Sequence, residues 1–501
     1  MNGCIMLNED DTHFYLTRYQ RKDLSEETIR EFIRQYANTQ VRDFVLCIGG
    51  RLMDYPSKVR ESWADKFVQK FENGREVDYS THPVTLGHHR FWQGMGVDCY
   101  AVMMDEMRKN GIRPWVSLRM NDCHENGTPT SFLHPNFFHD HPEYRRVQHR
   151  EPMEYFDRCY DYAEPEVRNL MLDTIREAAD RYDVYGFELD WMREMFCFAV
   201  GREWEGVEIL NDFMRDARAI LNEAAEKWGH PVLLSARTAP DPELALEMGY
   251  DVHTWAREGL IDVIVPSPRW RSTDSDIPVE MWKKLLSGTN VQIMPALEIL
   301  LAPEPELEKC IYQTVETTEA LAAQYLSAGA DGVYLFNYMD EANVDETGLC
   351  VLEKENYAHV LNTAGSLETV LCEERRHVKT YNDIAPEWVD IQRHAALPLN
   401  LPSRTRPKFV RVRVGQVPED AELELRVGTD GEIPEAFVNS VKCEYLRTEK
   451  VMPEYTKLPA YVYRISNDGK MPPFFVVELL GEGNARVDYV EVHVIPKENR
   501  Q

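Results

Sequence analysis

Short apolar runs alternate with longer amphipathic stretches over the first 365 residues of the chain. Eight of these runs have the length and the composition of buried strands. They are CIML (4–7), DFVLCIGG (43–50), IRPWVSLRM (112–120), VYGFELDW (184–191), PVLLSAR (231–237), DVIVPSP (262–268), VQIMPALE (291–298) and DGVYLFN (331–337). The segments between them show the 3.6-residue period of amphipathic helices.

Two of these segments carry clear helix signals. DLSEETIREFIRQYA begins with acidic residues and places Ile29, Phe32 and Ile33 on one face. A second helix is predicted from about residue 207 to 228, and it ends at Gly229. Eight strand–helix units predict a (β/α)8 TIM barrel over residues 1–365. An open doubly wound sheet is the alternative, but no glycine-rich phosphate turn follows the first strand.

The pattern changes after about residue 366. Short alternating runs such as FVRVRVG, AELELRVG and VDYVEVHVIP are separated by Gly, Pro, Asn and Asp. This pattern of short alternating runs predicts a C-terminal antiparallel β-sandwich domain over residues 405–501. Residues 366–404 are predicted to connect the two domains, and the Pro-rich stretch 395–407 leads into the second one. No row of exposed aromatic residues is evident there, which favours a bracing role for this domain.

Strand alternation separates the two faces of each barrel strand. The apolar parity suits packing against the outer helices, so the other parity faces the barrel interior. The predicted inward residues are Arg113, Trp115, Ser117, Arg119 and Asn121 on the third strand, Gly186, Glu188 and Asp190 on the fourth, Ser235 and Arg237 on the fifth, and Gln292, Met294, Ala296 and Glu298 on the seventh. The charged members collect toward the C-terminal strand ends, where barrels of this kind carry their active sites.

Two acids are the last inward acids of their strands, Asp190 on the fourth and Glu298 on the seventh. A pair of carboxylates across a pocket is what cleavage of a glycosidic bond requires. We therefore predict Asp190 and Glu298 as catalytic, provisionally as nucleophile and acid/base, with Glu188 one pleat deeper as support or substitute. The alternative for Glu188 is structural, because it could neutralise Arg119 or Arg237.

Polar residues around the same strand ends are the predicted substrate-binding set. This set comprises Arg119, Asn121, Asp122, His124, Arg193, Arg237, Trp270 and Asn337. Trp92, Trp191 and Trp270 are candidate stacking surfaces, although the parity of Trp191 favours packing. The loop after the third strand also holds five histidines: His124, His134, His139, His141 and His149. Because there is no HxH on the first strand and no HExxH anywhere, we predict no metal and no cofactor.

Charge and cysteine usage limit the classes of partner and the cellular compartment that we expect for the protein. The net charge is −29, from 85 acidic and 56 basic residues. Such a surface repels phosphate backbones and anionic lipids, so we predict a carbohydrate substrate, no nucleic acid and no membrane. The ten cysteines form no CxxC pair, and MNGCIMLNEDD lacks the features of a signal peptide. A cytoplasmic protein is therefore predicted, and a homo-oligomer stays open.

Several stretches resemble one family. YDVYGFELDWMR, SLRMND (117–122) and GADGVYLFNY (329–338) are similar to the family-10-like glycosyl hydrolase barrels of bacteria, as are RDFVLCIGGRLMDYPSKV and GYDVHTWAREGLIDVIVPS. The resemblance covers about residues 4–365, and an appended β-domain is usual in that group. It implies that Asp190 and Glu298 lie where related glycosidases hold their reacting carboxylates.

A weaker likeness connects the fourth strand to the DGxDxDWE pattern of family 18 chitinases. Here Tyr185 replaces the first acid, and Met192 falls where the proton-donating glutamate should be. This departure disfavours a chitinase mechanism. Two other functions stay open beside a glycoside hydrolase. One is a non-catalytic carbohydrate-binding protein on a degenerate barrel, and the other is a metal-assisted hydrolase or lyase that uses the His-rich loop.

Overall fold

A computed structural model gives the architecture of the chain. It describes residues 3–10, 13–18, 24–66, 71–72, 75–76, 83–153, 155–268, 276–301, 311–340, 352–380, 399–401, 408–431, 435–450, 455–480 and 485–497. Among these residues, no helix is both long and apolar enough to span a bilayer. Eight cysteines fall in the described ranges and none is disulfide-bonded; seven of them are buried and Cys372 is exposed.

Eight parallel strands form the first domain, as the sequence predicts. They are β1 (Ile5–Glu9), β2 (Val41–Cys47), β3 (Arg113–Arg119), β4 (Gly186–Asp190), β5 (Leu233–Thr238), β6 (Val263–Pro266), β7 (Gln292–Ile293 with Ala296–Glu298) and β8 (Val333–Phe336). The first half of β7 pairs with β6 and the second half pairs with β8, which in turn pairs with β1. The sheet therefore closes on itself, and the barrel prediction is confirmed.

Helices alternate with these strands along the chain. They are α1 (His13–Thr17), α2 (Glu26–Arg34), α3 (Pro83–Gly94), α4 (Cys99–Lys109), α5 (Asn136–Asp140), α6 (Pro165–Arg181), α7 (Gly206–Trp228), α8 (Pro242–Glu247), α9 (Val252–Arg257), α10 (Val279–Leu285), α11 (Val315–Ser327), α12 (Lys354–Thr363) and α13 (Leu367–Val370). The apolar face predicted for α2 is buried. Helix α7 ends at Gly229, whose φ of 78° is the left-handed conformation that terminates many helices.

Two apolar layers follow the predicted strand alternation. Residues of the outward parity, such as Leu234 and Ala236, pack with the helices in the large outer core. Residues of the inward parity form a separate cluster inside the barrel, made of Cys4, Met6, Val45, Trp115, Val263, Val265, Met294, Ala296, Tyr334 and Phe336. Gly186 is required beside this cluster, because a Cβ there would lie 2.3 Å from the ring of Trp115. The large indole thus fills the barrel floor below the polar residues of β4.

The C-terminal domain is a sandwich of two antiparallel sheets. Its strands are β9 (Arg375–Lys379), β10 (Leu399–Leu401), β11 (Lys408–Arg413), β12 (Glu422–Thr429), β13 (Glu435–Val438), β14 (Val441–Lys442), β15 (Glu444–Glu449), β16 (Ala460–Ile465), β17 (Phe474–Leu480) and β18 (Ala485–Ile495). One sheet has the order β9-β18-β12-β16-β15, with β10 also on β18, and the other has the order β11-β17-β13-β14. Alternate residues of both sheets, such as Val412, Leu425 and Val477, share one core.

The sandwich begins earlier in the chain than residue 405. Strand β9 lies inside the segment 366–404 predicted to be a connection, yet it pairs along its length with β18. Its sequence, RRHVK, has one apolar residue and therefore gives no strand signal. Most of the Pro-rich stretch 395–407 lies outside the described residues. The two domains contact each other through Arg413, which donates to Asp276 and to Glu280 on α10 at 2.8 and 2.7 Å.

Candidate active site

Polar side chains are stacked in two layers at the C-terminal ends of the central barrel strands. The register pairs Ser117 with Glu188 and Glu188 with Ser235. One pleat nearer the strand ends, the register pairs Arg119 with Asp190 and Asp190 with Arg237. Asp190 therefore lies directly above Glu188 and nearer the mouth of the barrel, as the alternation predicts.

Asp190 accepts hydrogen bonds from main-chain and side-chain donors. Its Oδ1 accepts hydrogen bonds from the N–H groups of Met192 and Arg193, at 3.1 and 3.0 Å. Nη1 of Arg237 donates to both oxygens of Asp190, at 2.9 Å to Oδ1 and 3.1 Å to Oδ2. Among the described residues, Oδ2 contacts only this guanidinium. Oδ2 is thus the less engaged oxygen of a buried, charge-compensated carboxylate.

Glu298 has the opposite electrostatic setting. Burial raises its pKa to about 7, more than its hydrogen bonds and the distant arginines lower it. Its Oε1 accepts from the N–H of Leu300 at 2.9 Å, and Nδ2 of Asn337 donates to Oε1 and Oε2 at 3.1 and 3.3 Å. Asn337 has a φ of 62°, so the backbone at the end of β8 is left-handed where it presents this amide.

Glu188 is bound by hydroxyl groups and not by an arginine. Ser117 and Tyr334 both donate to its Oε1, at 2.9 and 2.8 Å. Burial, followed by the charge of Asp190, raises the pKa of Glu188. Among the described residues no direct ion pair joins Glu188 to Arg119 or Arg237, which pair with other acids, although the charge of Arg237 lowers the pKa of Glu188. Strand alternation predicts that the three side chains lie on one face of their strands. It does not predict which residue each of them pairs with.

Arg119 belongs to a second ionic group beside the acids. Its guanidinium donates to Asp10, directly after β1, and to Asp122, at 2.5 and 3.2 Å. Burial alone would raise the pKa of Asp122, but its electrostatic interaction and hydrogen bond with His124, followed by the charges of Arg119 and Arg193, hold that pKa well below its usual value. Gly50 makes room for this group, because a Cβ there would lie 2.3 Å from Oδ2 of Asp122.

His124 connects this group to Arg193 at the rim. Its Nδ1 lies 2.7 Å from Oδ1 of Asp122, and its Nε2 lies 2.5 Å from Nη2 of Arg193. Because a guanidinium has only donors, Nε2 must be the acceptor and Nδ1 must carry the proton. His124 is therefore a neutral ring in a fixed orientation, with 45% of its side chain exposed to solvent at the mouth.

The remaining predicted binding residues are in poorer positions to contact a substrate. The amide of Asn121 is used by the main chain, since it donates to the carbonyls of Tyr160 and Phe196 and accepts from the N–H of Tyr160. Trp92 and Trp191 are buried in the outer core, so they offer no stacking surface. Trp270 lies outside the described residues.

Two other histidines of the loop after β3, His134 and His141, are used in local contacts. Ring nitrogen Nε2 of His134 lies 3.0 Å from two main-chain carbonyls, and its ring stacks on Phe138. His141 pairs with Glu143 at 2.9 Å. Across the described parts of the chain, the group of three close ligand atoms is a different one, made of Glu319, His359 and Glu373. The loop therefore supplies no argument for the metal-assisted alternative.

Three residues of the site are absent from the predicted set, although the sequence carried signals for two of them. Asp10 follows β1 in LNEDD, at a strand end where inward acids were expected on the other strands. Tyr334 faces inward by the alternation of DGVYLFN. Gly50 is the exception. Glycine is required at this position only because Asp122, which belongs to a different loop, approaches it closely.

Known proteins resemble this chain only in their structures. No protein-family model and no curated protein matches the chain. Several of the solved structures that resemble it are glycoside hydrolases. An α-L-fucosidase (isoenzyme 2) from Paenibacillus thiaminolyticus gives a TM-score of 0.42 at 11% identity, over 74% of this chain and 49% of the fucosidase. A family 36 α-galactosidase from Geobacillus stearothermophilus gives 0.38 at 13% identity, over 98% and 55%.

A family 18 N-acetylglucosaminidase from Paenibacillus barengoltzii gives a TM-score of 0.38 at 10% identity, over 72% of this chain and 99% of that one. The chain thus spans about half the length of the fucosidase and the galactosidase. At these identities the likeness is one of fold, and fold does not determine function. The resemblance to the family-10-like group stays a prediction.

Proposed function

We propose that the protein is a glycoside hydrolase whose reacting carboxylates are Asp190 and Glu298. The observation that carries this proposal is the contrast between the two acids. Both are buried at the C-terminal ends of barrel strands, yet Asp190 is compensated by Arg237 whereas burial raises the pKa of Glu298 to about 7. Acid-assisted glycosidic cleavage uses one carboxyl group as proton donor and a second as carboxylate.

The two environments assign the roles. Glu298 holds a proton near neutral pH and donates it to the glycosidic oxygen as the bond from C1 to that oxygen breaks. Oδ2 of Asp190 forms a bond to C1, and the sugar is held as a glycosyl ester. Water then attacks C1, Glu298 accepts its proton, and Asp190 is released as the carboxylate. Measuring the anomer of the first-formed product by NMR tests this double displacement, which requires retention.

Substrate recognition is proposed for the exposed polar edge of the second ionic group. His124 is fixed by Asp122 and by Arg193, so its orientation is set before a ligand arrives. Arg119, Asp122 and Arg193 position one another, and Asn337 positions Glu298. We leave Asn121 out of the binding set because its amide is used by the main chain.

A second candidate function is non-catalytic carbohydrate binding. The observation that favours it is the dense contact to Asp190, whose Oδ1 has three donors, as a purely structural brace would show. In that case sugars would bind to the wild-type protein without being cleaved. Calorimetric titration with the same sugars distinguishes this function from catalysis.

The test is hydrolysis of a broad panel of aryl glycosides and oligosaccharides by the wild-type protein and two variants. We expect turnover of at least one substrate and a loss of about 10³-fold or more in Asp190→Asn and in Glu298→Gln. Glu247→Gln changes an exposed glutamate at the end of α8 and is the matched control. Wild-type turnover that survives both site variants would refute the assignment. Binding without turnover would support the second candidate.

A further inference from the structure

Three potential metal ligands meet on the outer side of the barrel, away from the strand-end acids. Glu319 lies on α11, His359 lies on α12, and Glu373 lies in the turn between α13 and β9. Nε2 of His359 is 3.1 Å from Oε1 of Glu319 and 3.4 Å from Oε2 of Glu373. All three ligand atoms lie within 4.8 Å of one another.

These distances fit the edges of a small coordination sphere. Zinc binds imidazole nitrogen and carboxylate oxygen at about 2.0–2.2 Å, which places neighbouring ligand atoms of a tetrahedron about 3.4 Å apart. The two measured separations lie close to this value, and the third pair of ligand atoms lies within 4.8 Å. A set that includes an imidazole nitrogen also favours zinc or a similar transition metal over Ca²⁺ and Mg²⁺, which prefer oxygen alone.

The charge of the group is only partly balanced by protein cations, through the charge of Arg375, which lowers the pKa of Glu319. Within the described ranges, no lysine or arginine lies within the 4.0 Å ion-pair distance of Glu319 or Glu373. Arg375 is the nearest arginine in sequence, and its Nη1 donates to the carbonyl of Gln416. One imidazole is therefore shared by two carboxylates, and the side chain of Glu319 is only 2% exposed. A divalent ion would compensate both acids.

The surroundings suit both a fixed ligand and access for an ion. Thr363 donates to Oε1 of Glu319 at 2.6 Å, which orients the buried carboxylate as outer-shell partners of metal ligands do. The side chains of His359 and Glu373 are 43% and 24% exposed, so an ion can enter from solvent and keep a water ligand.

We propose that Glu319, His359 and Glu373 bind a divalent transition-metal ion such as Zn²⁺. The ion links α11 and α12 to the turn that leads into β9, the first strand of the sandwich. Its role is structural, because it connects the last helices of the barrel with the start of the second domain. This proposal is independent of the glycosidase assignment, and its readouts do not require activity.

The test is calorimetric titration of the chelator-treated full chain with Zn²⁺. We expect one site in the wild-type protein, weakened by more than about tenfold in His359→Gln and in Glu373→Gln. The matched control is His141→Gln, because His141 forms an exposed pair with Glu143 at 2.9 Å and has no third ligand. Thermal unfolding without metal checks that each variant is folded, and added Zn²⁺ should raise the Tm of wild type and control only.

Cobalt substitution and one further variant identify the ligands. Co²⁺ bound at this site should show the intense visible absorption of tetrahedral coordination, lost in His359→Gln. Cys372 is exposed and precedes Glu373, so Cys372→Ser removes the nearest thiol in sequence. Zinc binding that survives Cys372→Ser supports the proposal. Absence of a wild-type site, retention of the site in His359→Gln, or loss of the site in Cys372→Ser alone would overturn it.

Discussion

Nη1 of Arg237 contacts both carboxylate oxygens of Asp190, at 2.9 and 3.1 Å, inside a barrel where both side chains are buried. The guanidinium also stacks 3.7 Å from the ring of Phe336 and donates to Oγ of Ser267. The arginine is therefore fixed by residues on β4 and β8 and by Ser267, directly after β6. This fixed cation pairs with Asp190, whereas Glu298 lacks such a partner among the described residues and burial raises its pKa to about 7.

Asp190→Asn should destabilise the fold as well as remove activity. The substitution leaves the Arg237 guanidinium buried without its counter-charge, and breaking a buried pair in this way costs about 3–5 kcal/mol. Urea unfolding at neutral pH measures the loss. Glu258→Gln is the control, because it breaks the exposed pair of Arg215 and Glu258 and should change the unfolding free energy little. Equal effects of the two variants would contradict the buried-pair account.

Glu298 should make the fold less stable as the pH rises. Its native pKa, about 7, lies above the ordinary value of 4.5, so the native state keeps a proton that the unfolded chain releases. This contribution is complete below about pH 4.5 and is lost as the pH rises through 7, with a total of roughly 3 kcal/mol. Glu298→Gln cannot titrate, so its stability relative to wild type should increase over that window.

Urea midpoints of both proteins between pH 4 and 8 measure this difference. Because other groups titrate equally in the two proteins, the subtraction isolates Glu298. A difference that stays constant with pH, or that changes in the opposite direction, would show that burial does not raise the pKa of Glu298 in the native protein.

Gly50→Ala should disturb the second ionic group. The new Cβ would lie 2.3 Å from Oδ2 of Asp122 and 3.3 Å from Cδ of Arg119, so Asp122 must move away from its hydrogen bonds. Overpacking of this kind costs about 1–3 kcal/mol. If His124 and its neighbours bind substrate, KM should rise more than kcat falls.

Gly87→Ala is the matched control for that substitution. Gly87 lies within α3, and a Cβ there has no heavy atom within 4 Å. Alanine at this position should be neutral or should stabilise the helix by up to about 1 kcal/mol. Unchanged KM and unchanged stability in Gly50→Ala would show that Asp122 is not confined as the structure places it.

The periodicity of apolar residues was sufficient to predict the barrel and the side of each strand that faces inward. The apolar faces of α2 and α7 and the inward position of Asp190 all follow from spacing along the chain. The pairings do not, because the choice of Asp10 over Glu188 as partner of Arg119 depends on how neighbouring strands are staggered. Strand β9 could not be predicted from its sequence either, because RRHVK forms a strand only by pairing with β18.

The group of Glu319, His359 and Glu373 shows the same limit. Its three members come from two helices and a turn, at separations of 40 and 14 residues, and no short motif joins them. Tertiary packing of α11 against α12 and α13 is what brings them together. Spacing along a sequence identifies metal sites only when the ligands share one element or one loop.

The most direct measurement of the central claim is the dependence of Glu298→Gln catalysis on the leaving group. Removal of a general acid matters most where the departing oxygen needs a proton, and least where it leaves as a stable phenolate. We therefore predict that kcat/KM falls by about 10³-fold or more on an unactivated oligosaccharide and far less on the dinitrophenyl glycoside of the same sugar. Equal losses on both substrates, or no loss on either, would contradict the assignment of Glu298 as the proton donor.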